Sequence, residues 1–140
     1  MKIIKKNTLY IYTDGSSYSG PRKGGIGIIY VFMDAAGEEK VIQCEEYGYK
    51  QATNNMVELH AVITGLKGVL EQEFEIKYNL IEVRTDSMYV KENYKRALFN
   101  WSKEKWLSRY GKPIENAEQW KLLVKLLPKL KCKVEIVWIK

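Results

Sequence analysis

The strongest constraint on this chain is a change of period. Thr8 to Thr13, Gly25 to Met33 and Lys40 to Gly48 follow one another with short connections and carry the Tyr, Ile, Val and Thr that favour strands. Met56, Leu59, Ile63, Leu66 and Leu70 then recur at helical spacing, which predicts a helix from Asn55 to about Gln72. Three short-linked strands predict an antiparallel meander. A long helix leading from them to a fourth strand, Leu80 to Thr85, permits a parallel crossover. Asp14-Gly15-Ser16-Ser17 is expected to break the first strand and open a loop to about Lys23. Further on, a helix is expected from Asp86-Ser87 to about Tyr94, a helical turn from Ala97 to Trp101, and a helix from Asn116 to Leu127 that Pro128 stops. Lys133 to Ile139 alternates as a fifth strand. The order β-β-β-α-β-α-α-β implies an α/β fold, with a five-stranded mixed sheet, antiparallel then parallel, flanked by helices.

The length of 140 residues argues for one domain over 1–140, and a 46% hydrophobic content is enough for a core. The formal charge of +6 is unevenly spread. Between Lys91 and Lys112 seven basic residues face only Glu92 and Glu104, a net of +5, and such a cluster suggests a polyanionic partner. Cys44 and Cys132 form no CxxC, so zinc is not expected, and both read as reduced, partly buried thiols. No apolar run approaches the roughly 18 residues of a membrane span, and the apolar stretch after Met1 is too short for a signal peptide. A cytoplasmic protein is expected, with no membrane partner.

Three acids hold unusual places. Asp14 ends the first strand, Glu58 lies in the first turn of the long helix, and Asp86 ends the fourth strand. Strand ends and helix starts meet where α/β folds do their chemistry. If the first and fourth strands are parallel neighbours, Asp14 and Asp86 come side by side and Glu58 reaches them from the helix. Clustered carboxylates repel unless a cation joins them, and hard oxygen donors suit Mg²⁺ or Mn²⁺. Two such ions about 4 Å apart can activate water and stabilise a leaving oxygen in phosphodiester cleavage. Each acid also has an ordinary explanation. Asp14-Gly15 fits a turn, Asn55-x-x-Glu58 fits a capping box, and Asp86 or Ser87 fits a helix cap. Spacing and element order together favour a shared site.

The segments Tyr12-Thr13-Asp14-Gly15-Ser16, Thr53-Asn54-Asn55-Met56-Val57-Glu58-Leu59 and Thr85-Asp86-Ser87-Met88-Tyr89-Val90 resemble three successive motifs of type 1 ribonuclease H. Trp101 to Trp106 and Asn116 to Trp120 resemble that family's basic protrusion and the helix after it. Val137-Trp138-Ile139-Lys140 resembles its last strand. The resemblance implies the ribonuclease H-like fold and hydrolysis of the RNA strand of RNA·DNA hybrids by two metal ions. It further implies that Asp14 bridges two ions and that Glu58 and Asp86 hold the one on the leaving-group side. No small-molecule cofactor is implied.

The family carries a fourth acid beyond its last strand, after a loop bearing a His, and then a final helix. The given sequence reaches Lys140, where that loop would begin, and its one His, His60, lies inside the first helix, where it reads as a packing or surface residue. Within these residues the ion that activates water has Asp14 as its only expected side-chain ligand, so it is expected to bind weakly. Another chain could supply the further ligand.

For the nucleic acid, the resemblance implies contacts from Thr53, Asn54 and Asn55, with Ser87 as a secondary contact. Backbone around Gly15 and Ser16 is a candidate for sensing the 2′-hydroxyls that distinguish RNA. Trp101 and Trp106 interleave with Lys103, Lys105 and Arg109, so aromatic faces could pack on sugars or bases while the cations meet phosphates. Asn116 is a candidate phosphate contact or an N-cap. Gly24-Gly25-Ile26-Gly27 looks only faintly like a phosphate loop, and close strand packing explains it better. Two other readings stand beside the nuclease. One is a non-catalytic hybrid-binding module. The other is one domain of an actin-like ATPase or sugar kinase, whose first phosphate loop Asp14-Gly15-Ser16-Ser17 after a strand also resembles.

Overall fold

The computed structural model describes residues 4–17, 23–50, 54–74 and 76–139. Strands β1 (Thr8–Ser17), β2 (Lys23–Met33) and β3 (Glu39–Lys50) come first. Helix α1 (Asn54–Glu71), strand β4 (Leu80–Thr85), helices α2 (Met88–Phe99) and α3 (Ala117–Leu126) and strand β5 (Lys133–Trp138) follow. The sheet order is β3-β2-β1-β4-β5. β2 is antiparallel to both β1 and β3, while β4 is parallel to both β1 and β5. This is the five-stranded mixed sheet that the periodicities imply.

Four local expectations are corrected. Asp14-Gly15-Ser16-Ser17 does not break β1, because these residues stay paired with Gly27, Ile26, Gly25 and Gly24 of β2. The cross-strand hydrogen bonds outweigh the turn preference of Asp-Gly, and the glycines of 24–27 belong to a strand rather than to a phosphate loop. The helix expected to end near Tyr94 runs unbroken to Phe99, absorbing Ala97, which is buried in the core. α3 ends at Leu126, and Pro128 sits in the first turn of a 3₁₀ segment, Leu127–Leu130, where its missing N–H costs nothing. Cys44 is exposed rather than partly buried, and Cys132 is intermediate; both are free.

The core lies between the sheet and α1. Leu9 and Ile11 of β1, Ile26 and Ile28 of β2 and Ile81 and Val83 of β4 point toward the helix, in strict alternation. From α1 come Leu59, Val62, Ile63, Leu66 and Val69, each at most 5% exposed. Burial of one such side chain is worth about 1.5–3 kcal/mol. Two glycines let α1 approach closely. A Cβ at Gly65 would stand 3.0 Å from Ile11 Cγ2, and one at Gly68 would run into the Tyr30 hydroxyl. Tyr30 rises from β2 and donates to the Gly65 carbonyl at 2.7 Å. Burial pushes its phenol pKa well up, so it remains a neutral donor. This seam fixes the height of α1, and therefore of Glu58, above the sheet.

Candidate active site

The parallel pairing of β1 with β4 ends at Thr13 opposite Thr85. Asp14 and Asp86 are the next residues after that pair, so they leave the β1–β4 pairing side by side. Both are exposed, and both line one cleft of about 370 Å³ together with Tyr12, Gly27, Gln43 and Ile139. The β4 side of this cleft is tied down by backbone. Ile139 N donates to the Thr85 carbonyl at 2.8 Å, Ser87 N donates to Thr85 Oγ1 at 3.0 Å, and the Trp138 indole donates to the Asp86 carbonyl at 3.1 Å. Trp138 is thus part of the site's frame. The sequence offers only its place at the end of the last strand as a signal.

Glu58 comes from α1. The helix begins at Asn54, so Glu58 is its fifth residue rather than a member of the first turn. Its carboxyl pKa is raised, first by burial and then by repulsion from Asp86 and Asp14, while a hydrogen bond from Ser87 pulls it down. That combination puts both aspartates within electrostatic reach of Glu58. Among the described residues no Lys, Arg or His forms an ion pair with any of them. Ser87 has two tasks. It caps α2, its Oγ accepting from Val90 N at 3.1 Å, and it donates to Glu58. Of the two cap candidates seen in sequence, Ser87 is the cap.

The donor set fits a hard divalent cation: three carboxylates, Asp14 from within β1, Asp86 from just past β4 and Glu58 from α1, without an ion-pair partner among the described residues. Among the described residues the side chains as they stand do not gather three such ligands around one point. The acids share an end of the sheet; they do not form a ready-made cage.

The remaining candidates spread outward from this cleft. Gly15 and Ser16 continue β1, and Thr53 lies outside the described residues. Asn54 is exposed and Asn55 partly buried at the start of α1. Trp101 opens a 3₁₀ turn, Trp101–Lys103, and lies edge-on to the buried Trp120 with ring centroids 5.9 Å apart. Lys105 and Trp106 both take left-handed backbone, with φ of 54° and 60°, which folds the stretch back so that Trp106 N bonds the Trp101 carbonyl at 3.0 Å. Trp101 and Trp106 are therefore half-buried against the core, while Lys103 and Lys105 are exposed. A hollow of about 610 Å³ opens beside them, with Arg96, Asn100 and Arg109 in its wall. Asn116 precedes α3 in left-handed backbone, and its side chain makes no capping bond. His60 lies partly buried within α1.

The RNase H family model matches residues 6–140. The chain is 37% identical over 140 residues to the ribonuclease H of Actinobacillus pleuropneumoniae, covering all of this chain and 79% of that protein. It is 36% identical over 138 residues to the ribonuclease H of Treponema denticola, covering 93% and 83%. Among solved structures it resembles the foamy viral protease-reverse transcriptase in complex with RNA/DNA hybrid, with a TM-score of 0.78 at 21% identity over 99% of this chain and 18% of that one. The PFV RNase H domain in solution gives a TM-score of 0.72 at 24% identity, covering 95% and 80%.

Proposed function

The chain belongs to the RNase H family, and from that premise we propose that it hydrolyses the RNA strand of RNA·DNA hybrids, with divalent cations held by Asp14, Glu58 and Asp86. The observation that carries the reading is the shared end of the β1–β4 pairing, from which Asp14 and Asp86 enter one cleft. We take 1–140 to act as one domain, and no helix among the described residues is long and apolar enough to cross a membrane. A cytoplasmic setting suits this activity.

Bound Mg²⁺ or Mn²⁺ would lower the pKa of an attacking water and neutralise charge on the leaving oxygen. Asp14 would serve both ions, and Glu58 and Asp86 would hold the one on the leaving-group side. Ser87 steadies the Glu58 carboxylate through its hydroxyl, and Trp138 steadies the Asp86 backbone through its indole N–H. On the water-activating side Asp14 would be the ligand that residues 1–140 supply, and these 140 residues by themselves would hold an ion more weakly there. The hybrid lies across Asn54, Asn55 and the Gly15-Ser16 backbone, with Thr53 as a further candidate contact; Ser87, expected as a secondary contact, is only 2% exposed and caps α2, so it supports the site from beneath and does not touch the hybrid. The exposed Lys103 and Lys105 meet phosphates, beside the half-buried faces of Trp101 and Trp106. Asn116 contacts the same strand from the start of α3.

The test is cleavage of an end-labelled RNA·DNA hybrid in Mg²⁺ and in Mn²⁺. The expected result is metal-dependent scission of the RNA strand that disappears in Asp14→Asn. Binding of the hybrid with no scission in either metal would leave a binding module in place of a nuclease.

A further inference from the structure

We propose that Tyr89 is a positioning residue for Asn116, joining the helix that follows Asp86 to the amide that meets the hybrid. The inference rests on the reading of Asn116 as a hybrid contact. Tyr89 lies two residues after the Ser87 cap, in the first turn of α2. Its phenol oxygen accepts from Asn116 Nδ2 at 3.2 Å and from Trp120 Nε1 at 2.9 Å. The Tyr89 and Trp120 rings pack at 5.8 Å, and Trp120 is fully buried, so the phenol cannot swing away without unpairing an indole N–H in the core.

Asn116 is the unusual partner. An Asn before a helix ordinarily turns its side-chain oxygen onto the amides of the first turn. Here the backbone carbonyl of Asn116 receives Gln119 N and Trp120 N, both at 3.1 Å, and the side chain makes no capping bond. The amide points instead to Tyr89. Its second N–H has only a long 3.5 Å contact with Glu115 Oε1. The carbonyl oxygen and that weakly engaged N–H are left to meet a ligand, in an orientation that Tyr89 sets.

The experiment compares wild type, Tyr89→Phe, Asn116→Ala and the double variant for hybrid cleavage. In parallel, NMR follows the Asn116 side-chain amide without substrate. Phe keeps the ring and removes only the oxygen. The expected result is that Tyr89→Phe raises KM roughly 3- to 10-fold, the range of one lost hydrogen bond, and lowers kcat by less. The double variant should be no worse than Asn116→Ala, and the Asn116 amide resonance should move and exchange faster in Tyr89→Phe. Effects on KM that multiply, or an undisturbed amide resonance, would overturn the proposal even if the hybrid is cleaved. If the amide is disturbed but Asn116→Ala leaves KM at the wild-type value, the positioning has no hybrid contact to serve and the proposal is overturned. A wild-type chain that neither binds nor cuts hybrid would instead remove the functional reading, and the functional half of this inference with it.

Discussion

Ser87 caps α2, its oxygen accepting the Val90 amide at 3.1 Å, and the same side chain holds down the pKa of the half-buried Glu58 carboxyl of α1. Burial, Asp86 and Asp14 raise the Glu58 pKa, and Ser87 alone among the named causes opposes them. A carboxyl with a raised folded-state pKa stabilises the fold fully below its unfolded value, and that stability is lost as pH rises through the folded value. In metal-free buffer, Glu58→Gln should therefore raise Tm at pH 7–8 and leave it nearly unchanged at the acid end of the range. Ser87→Ala should push the Glu58 pKa further up, moving the acid limb of the pH–activity profile to higher pH. It should also cost about 0.5–2 kcal/mol of stability through the lost cap. Thermal melts across pH and a pH–rate profile check both, and an acid limb that stays in place would exclude Ser87 as a control on Glu58.

Asp14 and Asp86 lie one residue beyond the Thr13–Thr85 pair that ends the β1–β4 pairing, and on the proposed function Asp14 would serve both ions. Asp14→Asn should then lose activity by about 10²–10³ or more, the scale seen when a group that stabilises transition-state charge is removed. The exposed position of Asp14 means that the fold should survive. Calorimetric titration of the 140-residue chain with Mg²⁺ should show one stronger and one much weaker binding event. Two equally tight events would show that Asp14 does not stand alone on the water side.

The order of elements was legible because each strand and helix carries its own period, and Asp86 was legible because it falls just past the end of β4, whereas Asp14 lies inside β1 and Glu58 inside α1. Features that depend on partners distant in sequence were not. Asp14-Gly15 reads as a turn until its pairing with Gly27 and Ile26 is known. Ala97 and Phe99 read as a separate turn until the continuous helix buries Ala97. The consecutive left-handed residues Lys105 and Trp106 lie in the stretch with no clear period, and Lys and Trp are not the residues that announce such backbone. Trp138 and Tyr89 hold Asp86 and Asn116 through single hydrogen bonds spanning 52 and 27 residues, which no local pattern encodes.

Gly68 and Tyr30 set the spacing between α1 and the sheet, and their coupling can be measured. Ala has the better helix propensity by about 0.8–1.0 kcal/mol, yet a Cβ at Gly68 would meet the buried Tyr30 hydroxyl. Forced overpacking costs about 1–3 kcal/mol, so Gly68→Ala should destabilise the protein on balance. Tyr30→Phe alone should also destabilise, by leaving the Gly65 carbonyl without its 2.7 Å donor. In the double variant the colliding oxygen is gone, so the two losses should sum to more than the measured loss. Urea unfolding of the four proteins gives the coupling, and simple additivity would mean that α1 shifts to accommodate the methyl.

Lys103 and Lys105 flank a backbone reversal that leaves both side chains exposed, and neither forms an ion pair among the described residues. Each is free to displace a counterion from a phosphate. Every phosphate contact contributes about 0.9 to the slope of log K against log salt on duplex DNA. Lys103→Glu with Lys105→Glu should therefore weaken hybrid binding most at low salt and flatten that slope by up to about 2. Because both side chains lie outside the core, the melting temperature should change little. Fluorescence anisotropy with a labelled hybrid between 50 and 200 mM salt, a range over which such contacts separate clearly, makes the measurement. A weaker complex with an unchanged slope would place the damage in folding or in the half-buried Trp101–Trp106 face, and the phosphate role of the two lysines would be lost.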